Sequence, residues 1–434
     1  MEDAVKMVEE KDWLEPKLKE FKEWMSSENR RLGINRAVTA YTSAKEKALS
    51  RLPELEEMRK EVRAIKESAI DNMNELVKQA MDSISEVKGT PYLARDIKDA
   101  QMIFSSIVGT GKLVVKSKSL TSEEILLNDM LEEKGNEVYE TDLGEFIIQL
   151  RKEKPTHIIN PSVHVPREEV AKTFSKLMGR KIEPDIPGLV GVARAYLREK
   201  FCNADIGISG ANVVAAKTGT LFIIENEGNA RFVSNAPPIH ICITGIEKIV
   251  PTLSDAFKVV QTLPPYASGV LMAAYVSLIT GPSKTADIEK TIVYGAHGPK
   301  ELHVVLLDNG RSEMAKDPVF REALYCLRCG GCMYECPIYR IIGGSFGNNY
   351  FGGIGVIWSA FTSGEETVAA AIDACTKCGR CKEVCPVEID VPKMVEKLKG
   401  KLVKKGYIEP KHREIQRNIK EKGNPFGINE KEKA

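Results

Sequence analysis

Apolar residues recur every three or four positions in two runs near the start of the chain, residues 16–25 and 52–87, with almost no glycine. That spacing gives a helix one apolar stripe, so residues 1–90 are predicted to form a helical N-terminal region. Pro16 suits a first helical turn, and the run then places Leu18, Phe21 and Met25 on one face. A charged, solvated helical hairpin packed on a larger domain explains this pattern, and no chemistry is assigned to it.

From residue 91 the period changes. Short β-rich runs at 112–116, 137–140, 157–160, 205–208, 220–225, 240–245 and 303–307 alternate with helical segments. Strands separated by helices predict an α/β domain with a largely parallel sheet over residues 91–310. Thr121-Ser-Glu-Glu124, directly before Ile125, fits a capping box that starts a helix. The most apolar run, 270–279, is too short to span a bilayer and reads as buried core. Residues 391–405 again carry helical spacing and close a helical domain over 311–405, followed by a basic, flexible tail at 406–434. Within that domain the glycine-rich stretch 343–355 is expected not to form a regular helix and to serve as a covering loop or a docking surface.

Composition adds little to this picture and removes some possibilities. The 434 residues hold 62 basic and 61 acidic side chains, a net charge of +1 that recruits neither nucleic acid nor an anionic membrane. The opening residues, MEDAVKMVEEKDW, lack the basic and apolar regions of an export signal, so a cytoplasmic location is expected, with membrane contact only through a partner.

The cysteines change the picture most. Eight of ten fall between Cys326 and Cys385, in two runs of the form C-x2-C-x2-C-x3-C-P. The first holds Cys326, Cys329, Cys332 and Cys336, and the second Cys375, Cys378, Cys381 and Cys385. A cubane cluster needs thiolates at its irons, and three cysteines spaced by three wrap one turn around it, whereas structural zinc uses two separated pairs. The fourth cysteine of each run lies beyond that turn and in two-cluster ferredoxins ligates the other cluster. The expected ligand sets are therefore Cys326, Cys329, Cys332 and Cys385 for one 4Fe-4S cluster, and Cys375, Cys378, Cys381 and Cys336 for a second. Cys202 and Cys242 stand outside both runs and read as buried small hydrophobes.

Other motifs are weaker. Gly109-Thr-Gly-Lys112 lacks the Ser or Thr of a phosphate loop and reads as a turn into a strand, and Gly207-Ile-Ser-Gly210 lacks the third glycine of a dinucleotide fingerprint. Lys116 and Lys118 flank a strand-to-helix junction that suits an anion or small carboxylate, a solvated loop being the alternative. His157, His164 and His240 lie in or beside predicted strands, where structural histidines are commoner than catalytic ones.

The stretches 116–124, 140–149, 204–212, 218–220, 226–231 and 245–252 resemble the LUD domain, and with the paired cysteine runs the whole order resembles the lactate utilisation protein B family over roughly residues 30–400. The resemblance implies a LUD domain of the NagB/RpiA/CoA-transferase-like α/β fold, joined to an α-helical ferredoxin domain with two 4Fe-4S clusters. It implies an iron-sulfur electron-transfer subunit of a complex that oxidises L-lactate to pyruvate. Lactate oxidation needs a cation for the carboxylate, for which Lys116 or Lys118 are candidates, and a base, for which His164 or His240 are. The wider fold family also includes transferases with a glutamate nucleophile near a glycine loop, which singles out Glu227. The tail segment 422–427 resembles the linker before CCG domains of the heterodisulfide reductase type. Expected partners are a CCG-domain iron-sulfur protein, another LUD protein or a flavoprotein dehydrogenase. The alternatives are an electron-transfer adaptor of another dehydrogenase or heterodisulfide-reductase-like complex, and a redox or ligand-sensing LUD protein.

Overall fold

The computed structural model describes residues 13–428. Among the described residues four helices, Glu15–Ser26, Glu28–Leu49, Leu55–Asp71 and Met73–Glu86, precede the first strand. Ser27 caps the second by accepting the Arg30 N–H, and each helix turns a stripe inward, such as Leu76, Val77, Ala80 and Ile84 on the fourth. Burying those stripes, rather than propensity alone, holds such helices in place.

The strands among the described residues are β1 Thr90–Ala94, β2 Leu113–Lys116, β3 Glu137–Glu140, β4 Ile206–Gly210, β5 Val213–Ala215, β6 Thr220–Glu225, β7 Ile239–Gly245, β8 Ile249–Val250, β9 Tyr275–Ile279, β10 Lys284–Thr285, β11 Val293–Tyr294 and β12 Glu301–Leu307. Six form a parallel sheet in the order β1-β12-β7-β4-β2-β3. Its central strands are covered on both faces, so they read as continuous apolar runs: Ile241 to Ile243, and Val304 to Leu307, are all buried. A second sheet, β8-β5-β6-β9, stands beside it. Short helices then carry the cysteines, and Val391–Lys404 closes the chain's core with Met394, Val395, Leu398 and Leu402 turned inward. One apolar cluster joins the N-terminal helices, the second sheet and the cysteine-bearing segments.

Several sequence expectations are corrected. Residues 157–160 form no strand, because the His157 ring accepts the N–H groups of Ile159 and Asn160 and folds them into a turn. The helix predicted from Thr121 begins at Leu120, with Ser119 as its cap accepting the Ser122 N–H, and the Glu124 carboxylate is drawn to Arg311 instead. The run 270–279 is not buried core: Val270, Met272, Tyr275 and Leu278 are exposed, since β9 is an edge strand. The end of the glycine-rich stretch does enter a helix, Gly352–Thr362, where a side chain at Gly355 would lie 2.3 Å from the Tyr350 backbone. Cys202 is exposed, whereas Cys242 is buried. The tail contains a helix, Pro410–Lys422, started by a proline and by Glu409 accepting the His412 N–H. Among the described residues no helix is long and apolar enough to cross a membrane. Residues 1–12, on which the export reading rests, and 429–434 lie outside the described residues.

Candidate functional site

Both cysteine runs curl through left-handed backbone. Arg328 (φ 61°) and Lys377 (φ 53°) precede the second cysteine of each run, and Gly330 (φ 75°) and Gly379 (φ 86°) follow it. The curl turns amides toward sulfur, and Arg328 N–H lies 3.4 Å from Cys326 Sγ. Directly after the fourth cysteine, Cys336, Pro337 opens the helix Pro337–Ile342.

The thiols fall into two neighbourhoods. Burial pushes Cys329 up to about 12, and the next causes are Cys385 and Cys326. Burial pushes Cys385 up to about 11, with Cys326 as the thiol acting on it. Burial also pushes Cys381 up to about 12, followed by Cys375, Cys336 and Cys378. Cys332 is raised by burial and feels Cys329, Cys326 and then Cys381, so the two neighbourhoods adjoin. Cys385 thus acts on the first run's Cys329, and Cys336 on the second run's Cys381.

This donor set fits paired iron-sulfur clusters. Left alone, such buried thiols stay protonated at neutral pH, and bound iron is what holds them as thiolates. Among the described residues no three His, Cys, Asp or Glu side chains converge on a single-ion position. A cubane spreads its four thiolates over four irons. Around the second set the lining is apolar, with Ile338, Phe346, Gly353 and Pro392. Cys378 is the one exposed cysteine of the eight.

The N-terminal helices, to which the sequence assigned no chemistry, help build this housing. Arg59 Nη2 donates to the Cys385 carbonyl at 3.2 Å and Arg59 Nε to that of Pro386 at 3.2 Å. Tyr41 Oη donates to the Tyr266 carbonyl at 2.7 Å, and a side chain at Gly331 would meet that hydroxyl at 2.4 Å. A larger residue at Gly331 would have to displace the Tyr41 hydroxyl from this bond. The intervening signal in the sequence is only an amphipathic stripe, which does not name its partner.

At the carboxyl ends of β2, β4 and β7 lies a cavity of about 300 Å³, walled by Lys118, Asp142, Asn212, Glu227, Lys248 and Arg328 among others. Open parallel sheets place ligand sites at this end of their strands. Lys118 Nζ is 3.1 Å from Asp142 and donates to the Ile159 carbonyl at 2.7 Å. Glu227 is exposed as a residue, but its carboxylate accepts the Leu143 N–H at 3.1 Å, and loss of water with Asp142 nearby pushes it up to about 7.

The other sequence candidates lie elsewhere. Lys116 is buried in an ion pair with Glu140 at 2.8 Å and does not line the cavity. His164 is buried between Thr156 and Glu153, each 2.9 Å from a ring nitrogen. His240 is fully buried against Ser209 at 2.7 Å, and burial pushes it down to about 3. His157 is pushed down to about 3 by burial and stacks on Tyr334 with centroids 4.2 Å apart.

The sequence missed a buried charge network behind the cavity. Arg311 meets Glu124 through two bonds of 2.9 and 3.0 Å and also holds Glu247, all without exposure. Four cations, Arg311, Arg328, Lys248 and Lys66, act on Glu247 and hold it at about 2 despite its burial, which alone would raise it. Lone arginines and glutamates separated by dozens of residues carry no local signal of such a meeting.

The LUD domain model matches residues 77–307, and the 4Fe-4S dicluster domain model matches 322–389. The chain belongs to the LUD-domain family. Its LUD segment covers both sheets, and its dicluster segment covers all eight cysteines, so the protein carries two 4Fe-4S clusters. Among LUD relatives, an electron transport protein of Escherichia coli K12, YkgF, described as uncharacterized, is 33% identical over 386 residues, covering 88% of this chain and 77% of that protein. Lactate utilization protein B of Bacillus subtilis 168 is 35% identical over 362 residues, covering 82% and 74% respectively.

Proposed function

We propose that this LUD protein is the iron-sulfur electron-transfer subunit of a complex that oxidises L-lactate to pyruvate. The ligands in this reading are Cys326, Cys329, Cys332 and Cys385 for the first cluster, and Cys375, Cys378, Cys381 and Cys336 for the second. When bound, each cluster accepts and returns one electron, so the pair matches the two electrons that a 2-hydroxy acid releases.

The observation that carries the reading is the unequal placement of the two thiol sets. The first run reaches the LUD cavity through Arg328 and its set is held by the N-terminal helices through Arg59 on the Cys385 carbonyl, while the second reaches solvent at Cys378. Electrons then have an inner and an outer port on one chain. The base and the two-electron acceptor for the hydroxy acid are assigned to a partner, a CCG-domain iron-sulfur protein, another LUD protein or a flavoprotein. His164 and His240 are bound up in buried hydrogen bonds, which favours that division.

The test is anaerobic purification of the chain with its copurifying subunits, followed by addition of L-lactate. Reduction of the cysteine-held clusters with matching pyruvate formation supports the reading. Clusters that stay oxidised under lactate, but reduce with another dehydrogenase's substrate, replace it with the adaptor role.

A further inference from the structure

The cavity and the first cysteine run share a wall made of positive charge. Lys66, Lys248, Arg311 and Arg328 surround Glu247, and a second carboxylate, Glu124, pairs with Arg311. Four cations stand against these two carboxylates, and the first cluster, whose Cys326 acts on Lys66, supplies negative charge on one side only. Buried charge is costly unless it is paired, so the cavity side of the set favours an anion as well.

Two of the cations have donors to spare. Lys248 lines the cavity, and among the described residues its ammonium gives one hydrogen bond, to the Ala211 carbonyl at 3.0 Å. An ammonium carries three donors, so two remain. The Arg328 side chain also lines the cavity and is 12% exposed. Its guanidinium lies 3.7 Å from the Trp358 ring centroid and 4.5 Å from that of Tyr350, and 3.5 Å from Glu247. Among the described residues it donates no hydrogen bond of normal length, which leaves a five-donor fork open. Stacked between rings, the fork is held rather than mobile.

Lys118 closes the opposite side, already neutralised by Asp142. The walls add amide groups from Asn212 and Asn229 and apolar surface from Ile223, Leu263 and Pro264. Two cations with donors to spare, several polar groups and a partly apolar floor in about 300 Å³ suit a small organic anion better than a nucleotide. A planar carboxylate matches the fork of Arg328 and leaves its other end for the polar wall.

Arg328 belongs to both sites. It lies one residue before Cys329, and its own N–H points at Cys326 Sγ at 3.4 Å. We propose that the cavity binds a small carboxylate against Lys248 and Arg328, and that Arg328 makes its occupancy felt by the first cluster. An anion there offsets positive charge that otherwise favours the reduced, more negative cluster, so binding lowers that cluster's midpoint potential. The inference uses the two-cluster assignment but does not require that lactate be the substrate.

The test uses the cluster-loaded protein alone, with pyruvate, acetate and inorganic phosphate as probes in calorimetry and in an EPR-monitored redox titration. Pyruvate is expected to bind the wild type and to bind Lys248→Met at least tenfold more weakly at unchanged iron content. Binding tenfold tighter to the oxidised form appears as a midpoint about 59 mV lower, and that shift is expected to vanish in Lys248→Met. Should that variant fail to load clusters, Lys248→Gln gives the same comparison. No binding of either carboxylate, equal binding to wild type and variant, binding of phosphate alone, or binding without a midpoint shift would each overturn the proposal. None of these outcomes depends on lactate turnover by a complex, so failure here and failure of the lactate reading are distinct.

Discussion

Arg311 and Glu124 meet as a two-bond ion pair, 2.9 and 3.0 Å, with neither side chain exposed. Glu124 sits on the short helix after β2, and Arg311 opens the segment that leads to the cysteines. Tyr350, from the glycine-rich stretch, donates its hydroxyl to the same carboxylate. One buried carboxylate thus ties the parallel sheet to both flanks of the cluster housing.

That tie predicts a large and specific stability loss. Arg311→Met strands Glu124 without its ion-pair partner, and an uncompensated buried charge costs about 3–5 kcal/mol. Denaturant unfolding of the cluster-loaded protein should show it, with Tyr350→Phe costing about 1–3 kcal/mol for one lost donor. If Arg311→Met unfolds within 0.5 kcal/mol of the wild type, the network carries no such load.

The crossed ligand sets predict paired losses. Cys385→Ser and Cys326→Ser should weaken the same cluster's EPR signal, and Cys336→Ser and Cys375→Ser the other. Uncrossed runs would instead pair Cys336→Ser with Cys326→Ser.

Two histidines set an acid limit. His157 and His240 are fully buried and pushed from 6.5 down to about 3 by burial. The unfolded chain takes up these protons first, so the stability is whole above pH 6.5 and is lost as pH falls toward 3. At pH 5 the loss is about 2 kcal/mol for each histidine. A His240→Gln variant should flatten the pH dependence of unfolding between 6.5 and 5; an unchanged slope would mean that ring titrates normally.

What the sequence made legible was what lies close along the chain. The cysteine runs announce their chemistry because three ligands sit within one turn, and the parallel sheet shows because each strand is short and apolar. Strand pairing across the sheet is not local, and neither is the cavity: Lys118, Lys248 and Arg328 follow β2, follow β7 and lie in the first cysteine run. Lys116 and Lys118 looked alike in sequence, yet Lys116 ends β2 with its ammonium buried on Glu140, whereas Lys118 lies past the strand's end and reaches the cavity. The histidines proved to be the commoner, structural kind: burial keeps His240 neutral against Ser209, and His164 is tied to Glu153. The helical N-terminus hid its role because Arg59 and Tyr41 reach backbone carbonyls, and no residue pattern marks such acceptors.

The most direct measurement is metal and sulfide quantitation on the anaerobically purified chain, joined to EPR of the reduced protein. The two-cluster account predicts about eight irons and eight sulfides per chain, with spin-coupled signals from two neighbouring 4Fe-4S clusters. About two zinc ions, or about four irons with a single uncoupled signal, would contradict it.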